Sequence, residues 1–452
     1  MLYYAVPPVF VVLLLAALRL RPERRIGLVM AGVAFTMSMY AGEVVLHLLE
    51  PSILRAGLPV MASLNASKER KEIAAMLESR FGIAIDSRDS LEVLRDLRRN
   101  GIEAVPSVIP RYQLRHYQKE GVQTPPVIAL GGIPNKVTVL CNENGQFVTY
   151  DSDQHGFRNP KEILASGRVD IVALGDSFTQ GYCVPSGKTF VDLVRQRHPS
   201  TLNLGMAGEG PLLMLATLKE YAAPLRPRLV LWFYFEGNDL VDLMDERKSA
   251  LLMRYLEGGF TQKLEHRQDE INRALIAFVE KEREWAQAQR EAQRRNATGP
   301  AAGLIDFLRL PLFRTRLGLI QGRSAKDEQF ALELEKTELP LFRRILSDAK
   351  ANVASWDGAL YFVYLPNWAR YDRDRRTEYH ERVAEATREA VLAMVRDLGL
   401  PLVDLVPAFD AHGDAMSLFP FRAPGHYTEG GHALVGKVVL DRLATSAQAS
   451  GK

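Results

Sequence analysis

Five apolar runs set most of what this chain can fold into. They are Val169–Leu174, Thr201–Leu204, Leu229–Phe235, Leu360–Tyr364 and Pro401–Asp404, and each has the composition of a buried strand. Helix-periodic stretches lie between them, for example Leu212–Tyr221 and Thr377–Leu398. Such alternation predicts an α/β domain, a parallel sheet with helices on both faces. The regularity is broken from about Val241 to Leu341, a stretch too long for a loop that reads as a helical insertion. Within it Leu264, Ile271, Phe278 and Trp285 recur every seven residues. We expect that stripe to pack on its own domain rather than to form a coiled coil. The segment "LIDFLRLPLFRTRLGLI" reads as a core helix whose Arg309, Arg314 and Arg316 reach out to solvent.

The N-terminus follows other rules. Leu2–Leu18 and Ile26–Gly42 carry no charge, and "RLRPERR" separates them. About 20 apolar residues span a bilayer. The second run reaches that length if it continues to Leu49 past Glu43 and His47, which we expect to snorkel to the interface. Residues 1–50 are therefore expected to be a membrane anchor of two helices, 2–20 and 26–49. The arginine loop should lie on the cytoplasmic side, and everything after about Pro51 outside the cytoplasm. In a bacterium that places the bulk of the chain in the periplasm, tethered to the inner membrane. No positive segment precedes the first apolar run, which argues against a signal peptide.

Residues 51–165 read as an α+β extension. "SKERKEIAAMLESRFG" has a helical period and ends in glycine. "SLEVLRDLRRNG" suggests Ser90 as N-cap and Gly101 as its stop, while "AVPSVIPRY" and "QTPPVIALGGIPN" look extended. The formal net charge is only +3, and basic residues are interleaved with acidic ones, as in "KERKE" and "EKERE". Charge therefore gives no reason to expect a nucleic-acid partner. Two cysteines in 452 residues exclude a disulfide scaffold or a cysteine-rich zinc module. His155, His426 and His432 form no HExxH or paired-ligand pattern, so no metal or other cofactor is expected.

Four short blocks carry the chemistry. Gly175-Asp176-Ser177 follows the first strand. "NLGMAGEGP", Asn203 to Pro211, follows the second. "FEGNDL", Phe235 to Leu240, follows the third, and "GHYTEGGHALVG", Gly425 to Gly436, enters the last helix. Acyl transfer by a serine needs a base for the Oγ proton and hydrogen-bond donors for the oxyanion. Ser177 suits the nucleophile and His426 the base. The Ser177 N–H, the Gly208 N–H and the Asn238 side-chain amide suit the oxyanion hole. Asp176 is expected to fix the turn rather than act as a base.

The order of these blocks resembles the SGNH, or GDSL, hydrolase superfamily, whose four signature residues fall here on Ser177, Gly208, Asn238 and His426. The match covers roughly residues 166 to 445 with the helical insertion at about 241–341. The part from "CNENGQFVTYDSDQHGFRNP" onward is similar to membrane-anchored members of bacterial envelopes. The resemblance implies a flavodoxin-like three-layer α/β/α fold and ester chemistry. The implied activity is that of a serine esterase or O-acyltransferase, with O-acetyl groups of envelope carbohydrate as the leading target. The alternatives are a lipase or thioesterase, and a non-catalytic glycan-binding protein working with polysaccharide assembly partners. Two positions depart from the family. Pro424 and Ala423 stand where an Asp usually precedes the histidine, and Glu236 stands where block three usually has glycine. The group that orients His426 must then be an acid from elsewhere, a backbone carbonyl or water, or the site is a Ser–His dyad. His432, with Glu429 three residues before it, is the competing base. His426 is preferred because Gly431 and an apolar helix follow it, whereas His432 would already lie on that helix. Finally, Cys141 and Cys183 are expected to pair, given the oxidising compartment that the topology implies.

Overall fold

The computed structural model of the protein describes residues 21–49, 70–82, 84–122, 125–297, 334–372 and 378–450. The chain forms two compact units, Met1–Gly57 with Ala286–Ser324, and Leu58–Trp285 with Ala325–Lys452. In the first, residues Pro22–Leu49 form one helix, of which Pro22–Val45 is long and apolar enough to cross a membrane. It begins four residues before the expected Ile26. Pro22 is pre-organised for a first helical position, so Glu23, Arg24 and Arg25 are helical rather than part of a loop. Glu43, expected to snorkel, is buried. The other expected span, 2–20, lies outside the described residues, as does the 304–320 segment.

The second unit holds two sheets. The smaller has three strands, β1 (Ala104–Pro106), β2 (Val137–Cys141) and β3 (Val148–Asp151), in the order β1-β2-β3. β1 pairs parallel with β2, and β2 and β3 form an antiparallel hairpin. Helix Ser90–Arg99 packs against this sheet. Its N-cap is Asp89, not Ser90. The Asp89 carboxylate accepts the Glu92 N–H at 2.7 Å, and Glu92 accepts the Asp89 N–H at 2.7 Å, a reciprocal capping box. Part of "AVPSVIPRY" is also not extended. Pro110 opens a helix, Pro110–Lys119, because its missing N–H costs nothing in a first turn.

The larger sheet has β4 (Ile171–Leu174), β5 (Thr201–Asn203), β6 (Leu229–Phe235), β7 (Ala359–Leu365) and β8 (Leu402–Asp404), in the order β5-β4-β6-β7-β8. Every pairing is parallel. This is the flavodoxin-like order, and the fold is the expected three-layer α/β/α. The direction of winding reverses between β4 and β6, the crevice where such sheets bind ligands. Both faces are covered, as a parallel sheet requires. Val172, Leu174, Val230, Trp232 and Tyr234 face one apolar core with helices Pro211–Thr217 and Leu339–Ala354. Ile171, Ala173, Leu229, Leu231 and Phe233 face the other, with helices Phe190–Arg197 and Glu429–Ser450. In the insertion, Leu264 sits in a short turn, and Ile271 and Phe278 are buried along helix Gln268–Ala297. Trp285 leaves the predicted stripe and is 56% exposed.

Candidate active site

The end of β4 is shaped by contact. A Cβ on Gly175 would sit 2.1 Å from the Thr179 Oγ1, so a larger residue could not make this turn. Asp176 then caps a four-residue helix, Ser177–Gln180, accepting the Phe178 N–H at 2.9 Å. That is the turn-fixing place expected for it. Burial pushes its carboxyl above the ordinary carboxylate value. Ser177 is the first residue of this helix, so its N–H has no acceptor one turn back and is available to a ligand.

His426 meets Ser177 across a sequence separation of 249, with Nε2 2.7 Å from Oγ. On its other side Nδ1 lies 2.9 Å from both oxygens of Glu143, and the His426 backbone N–H donates to Glu143 Oε2 at 2.9 Å. This network assigns the proton to Nδ1 and leaves Nε2 free to accept from the serine hydroxyl. Burial acts to lower the imidazole pKa, but the Glu143 carboxylate, with a smaller push from Asp176, outweighs it and raises the value above that of free histidine. Phe178 and Tyr182 flank the ring, with centroids at 4.8 and 4.6 Å.

Glu143 is the residue that sequence reasoning missed. It lies on the β2–β3 hairpin of the extension, two residues after Cys141. Cys141 is disulfide-bonded to Cys183, with Cα atoms 5.2 Å apart. Around it, the Asn142 amide donates to the Asp86 carbonyl and the Asn144 amide to the Cys183 carbonyl, each at 2.9 Å. The expected cysteine pair held the missing signal, because joining 141 to 183 brings the nearest acid to the loop that follows Ser177.

Gly208 and Asn238 arrive from the ends of β5 and β6. Gly208 has φ +75°, and a Cβ there would lie 2.7 Å from Ile109 Cγ2, so both backbone and space demand glycine. Asn238 stands before helix Asp239–Glu246, and its amide donates to Asp242 Oδ2 at 3.0 Å. Glu236, the departure in block three, accepts the Tyr364 hydroxyl at 2.6 Å, the Asn367 N–H at 2.7 Å and the Arg370 guanidinium at 2.6 Å. It anchors the loop after β7 and does not enter the Ser177–His426 line.

His432 is not part of this arrangement. It is fully buried, accepts the Phe190 N–H at 3.1 Å, and stacks on the Phe190 ring. Burial first, then Arg158 and His426, lower its pKa to about 3. Glu429 is half-exposed and lies 3.9 Å from Lys188. The His155 ring packs at 5.1 Å from Tyr221, and its Nδ1 lies 3.2 Å from Gln268 Oε1. Among the described residues, no group of three His, Cys, Asp or Glu side chains is placed to hold a metal ion.

The four blocks whose order resembles the SGNH hydrolases thus converge on one edge of a flavodoxin-like sheet, joined there by a carboxylate from the extension. Solved structures similar to this chain include a lipase/acylhydrolase from Enterococcus faecalis, 14% identical, covering 61% of this chain and 95% of its own, with a TM-score of 0.33. A GDSL-like lipase from Bacteroides thetaiotaomicron is 10% identical over 63% of this chain and 95% of its own, also at 0.33. An acetyl xylan esterase is 10% identical over 60% of this chain and 98% of its own, again at 0.33. No protein-family model matches the chain, and no curated protein matches it.

Proposed function

We propose that this protein is a serine esterase or O-acyltransferase that works through a Ser177–His426–Glu143 triad. The observation that carries the reading is the unbroken line from the Glu143 carboxylate through both ring nitrogens of His426 to the Ser177 Oγ at 2.7 Å. Ser177 Oγ attacks the ester carbonyl while its proton passes to His426 Nε2. The resulting oxyanion is met by the N–H groups of Ser177 and Gly208 and by the Asn238 amide. As the tetrahedral intermediate collapses, His426 returns the proton to the departing alcohol and an acyl-serine remains. Water, or a second hydroxyl in a transferase, then loses its proton to His426 as it attacks the acyl carbon, and His426 returns that proton to Ser177 Oγ as the acyl group leaves. Glu143 holds the ring in the productive tautomer and stabilises the imidazolium. Its presence supports a catalytic site over a degenerate, glycan-binding one.

The substrate reading is an acylated carbohydrate, with an O-acetyl ester as the leading case. It rests on the resemblance of the sequence blocks and on the apolar helix Pro22–Val45, which suits a membrane tether with the site outside the cytoplasm. The test is turnover of p-nitrophenyl acetate against a long-chain ester, with the acyl group trapped on Ser177 read by mass spectrometry. Acetate preference and an acetyl adduct on Ser177 support the reading. Unchanged turnover in Ser177→Ala overturns it, and preference for the long chain moves it to a lipase.

A further inference from the structure

Five carboxylates are buried around the Asn238 side of the site: Asp176, Glu209, Asp239, Asp242 and Glu246. Four have plain structural partners. Asp176 caps the serine helix, and Glu209 accepts the Thr217 hydroxyl at 2.9 Å. Asp239 accepts the Phe235 N–H at 3.1 Å, and Glu246 accepts the N–H groups of Gly210 at 2.6 Å and Leu212 at 2.9 Å. Asp242 is different. One oxygen takes the Asn238 amide, and the other forms an ion pair with the Arg111 guanidinium. Asp242 is 1% exposed and Arg111 18%. Arg111 sits in the first turn of helix Pro110–Lys119, in the extension, and also lies against block two. A Cβ on Gly208 would be 3.3 Å from the Arg111 Cβ and 3.7 Å from its Nε. That Nε is buried and has no hydrogen-bond partner among the described residues.

We propose that Arg111 is a positioning residue for the oxyanion hole, acting on Asn238 through Asp242. The inference rests on the esterase reading. Asp242 is buried, and burying a carboxylate is costly unless a cation and hydrogen-bond donors compensate it, as Arg111 and Asn238 do here. While ionised, it takes one N–H of Asn238 and fixes the plane of the amide. The second N–H is thereby kept for the oxyanion. Without the guanidinium, nothing holds the second oxygen of Asp242, the carboxylate is free to turn, and the amide loses its fixed anchor. Because the interaction is indirect, it acts on the transition state and not on substrate binding.

The experiment is hydrolysis of p-nitrophenyl acetate by the full chain. Arg111→Ala should lower kcat by about 10²-fold, the scale of losing one oxyanion donor, with KM close to wild type. Added guanidinium ion should restore much of the rate, which a lost structural contact would not allow. Arg111→Ala combined with Asp242→Asn should lose no more than the worse single variant. Should Arg111→Ala fail to fold by circular dichroism, Arg111→Gln takes its place and Arg111→Lys, which keeps the charge, should retain more activity than it does. A raised KM at unchanged kcat, losses that multiply, or absence of rescue in a folded variant overturns the proposal. Ser177→Ala, run alongside, separates the two claims. If it abolishes turnover while the Arg111 variants match wild type, only this inference fails, and if it does not, the esterase reading fails first.

Discussion

The two sheets contribute to one site by different means. The five-stranded sheet delivers Ser177, Gly208 and Asn238 from the carboxyl ends of three adjacent strands, β4, β5 and β6. Their placement follows from parallel pairing, since each strand ends at the same edge and each block begins there. The three-stranded sheet delivers a single side chain, Glu143, from a hairpin whose own pairing does not aim it at anything. That hairpin is held by a disulfide and two asparagine amides instead. One region positions by architecture and the other by attachment, so they should respond differently to mutation.

The largest effect should come from the architectural side. Ser177→Ala should abolish p-nitrophenyl acetate turnover, a loss on the order of 10⁶-fold where triads have been dissected, with an unchanged circular dichroism spectrum. Comparable loss from Glu143→Ala would mean the two regions are equally indispensable.

Glu143→Gln comes next. The neutral amide cannot hold the Nδ1–H tautomer or stabilise the imidazolium, and the corresponding loss in a serine protease was about 10⁴-fold. A pH profile provides an independent check. His426 must be neutral to act as base, and its pKa is raised. The acid limb of kcat/KM should therefore lie above the free-imidazole value in the wild type. In Glu143→Gln the raising charge is gone and burial still opposes the cation, so the limb should move to lower pH. An unshifted limb would detach Glu143 from the chemistry.

Opening the disulfide should cost less activity but measurable stability. In the chain-entropy account, a bridge with a sequence separation of 42 is worth about 4 kcal/mol. Cys141→Ser with Cys183→Ser should lower the denaturation midpoint by a corresponding amount. Its kcat should stay well above that of Glu143→Gln, because Asn142 and Asn144 still hold the hairpin. Equal losses would show that attachment resides in the bridge alone.

The smallest effect on turnover should come from His432→Ala, within a few-fold of wild type. Its cost is in stability, about 1–3 kcal/mol for the unsatisfied Phe190 N–H. His432 has a folded pKa of about 3 against an ordinary value near 6.5. Its contribution is thus complete above pH ~6.5 and is lost progressively as pH falls toward 3. Thermal unfolding at pH 7 and pH 5 should show the wild type losing more than the variant across that interval.

The contrast between the sheets is also one of legibility. All five large-sheet strands could be read because a strand buried on both faces must be apolar throughout, as in Leu229–Phe235. The blocks at their ends stood out as polar and glycine residues where an apolar run stops. His426 could be chosen over His432 because a histidine already on a packed helix belongs to the core. Glu143 could not be chosen that way. "CNENG" has the composition of an ordinary hairpin turn, and its partner lies 283 residues away. Arg111 was hidden for a similar reason. Two prolines made its surroundings look extended, whereas the second of them opens a helix. Ser90 lost the cap to Asp89 by one residue, a choice that depended on which side chain could pair with Glu92.

The separation between Ser177 and His426 also governs when the site comes into being during synthesis. Acid and nucleophile leave the ribosome early and can be joined by their disulfide while most of the sheet is still untranslated. The base follows 249 residues after the serine. Under the proposed triad, the growing chain until then holds a hydroxyl with nothing to take its proton, and a stalled or prematurely terminated product should be silent toward esters. On that reading, only a chain that has reached and docked the loop carrying His426, just before helix Glu429–Ser450, should form an acyl-serine.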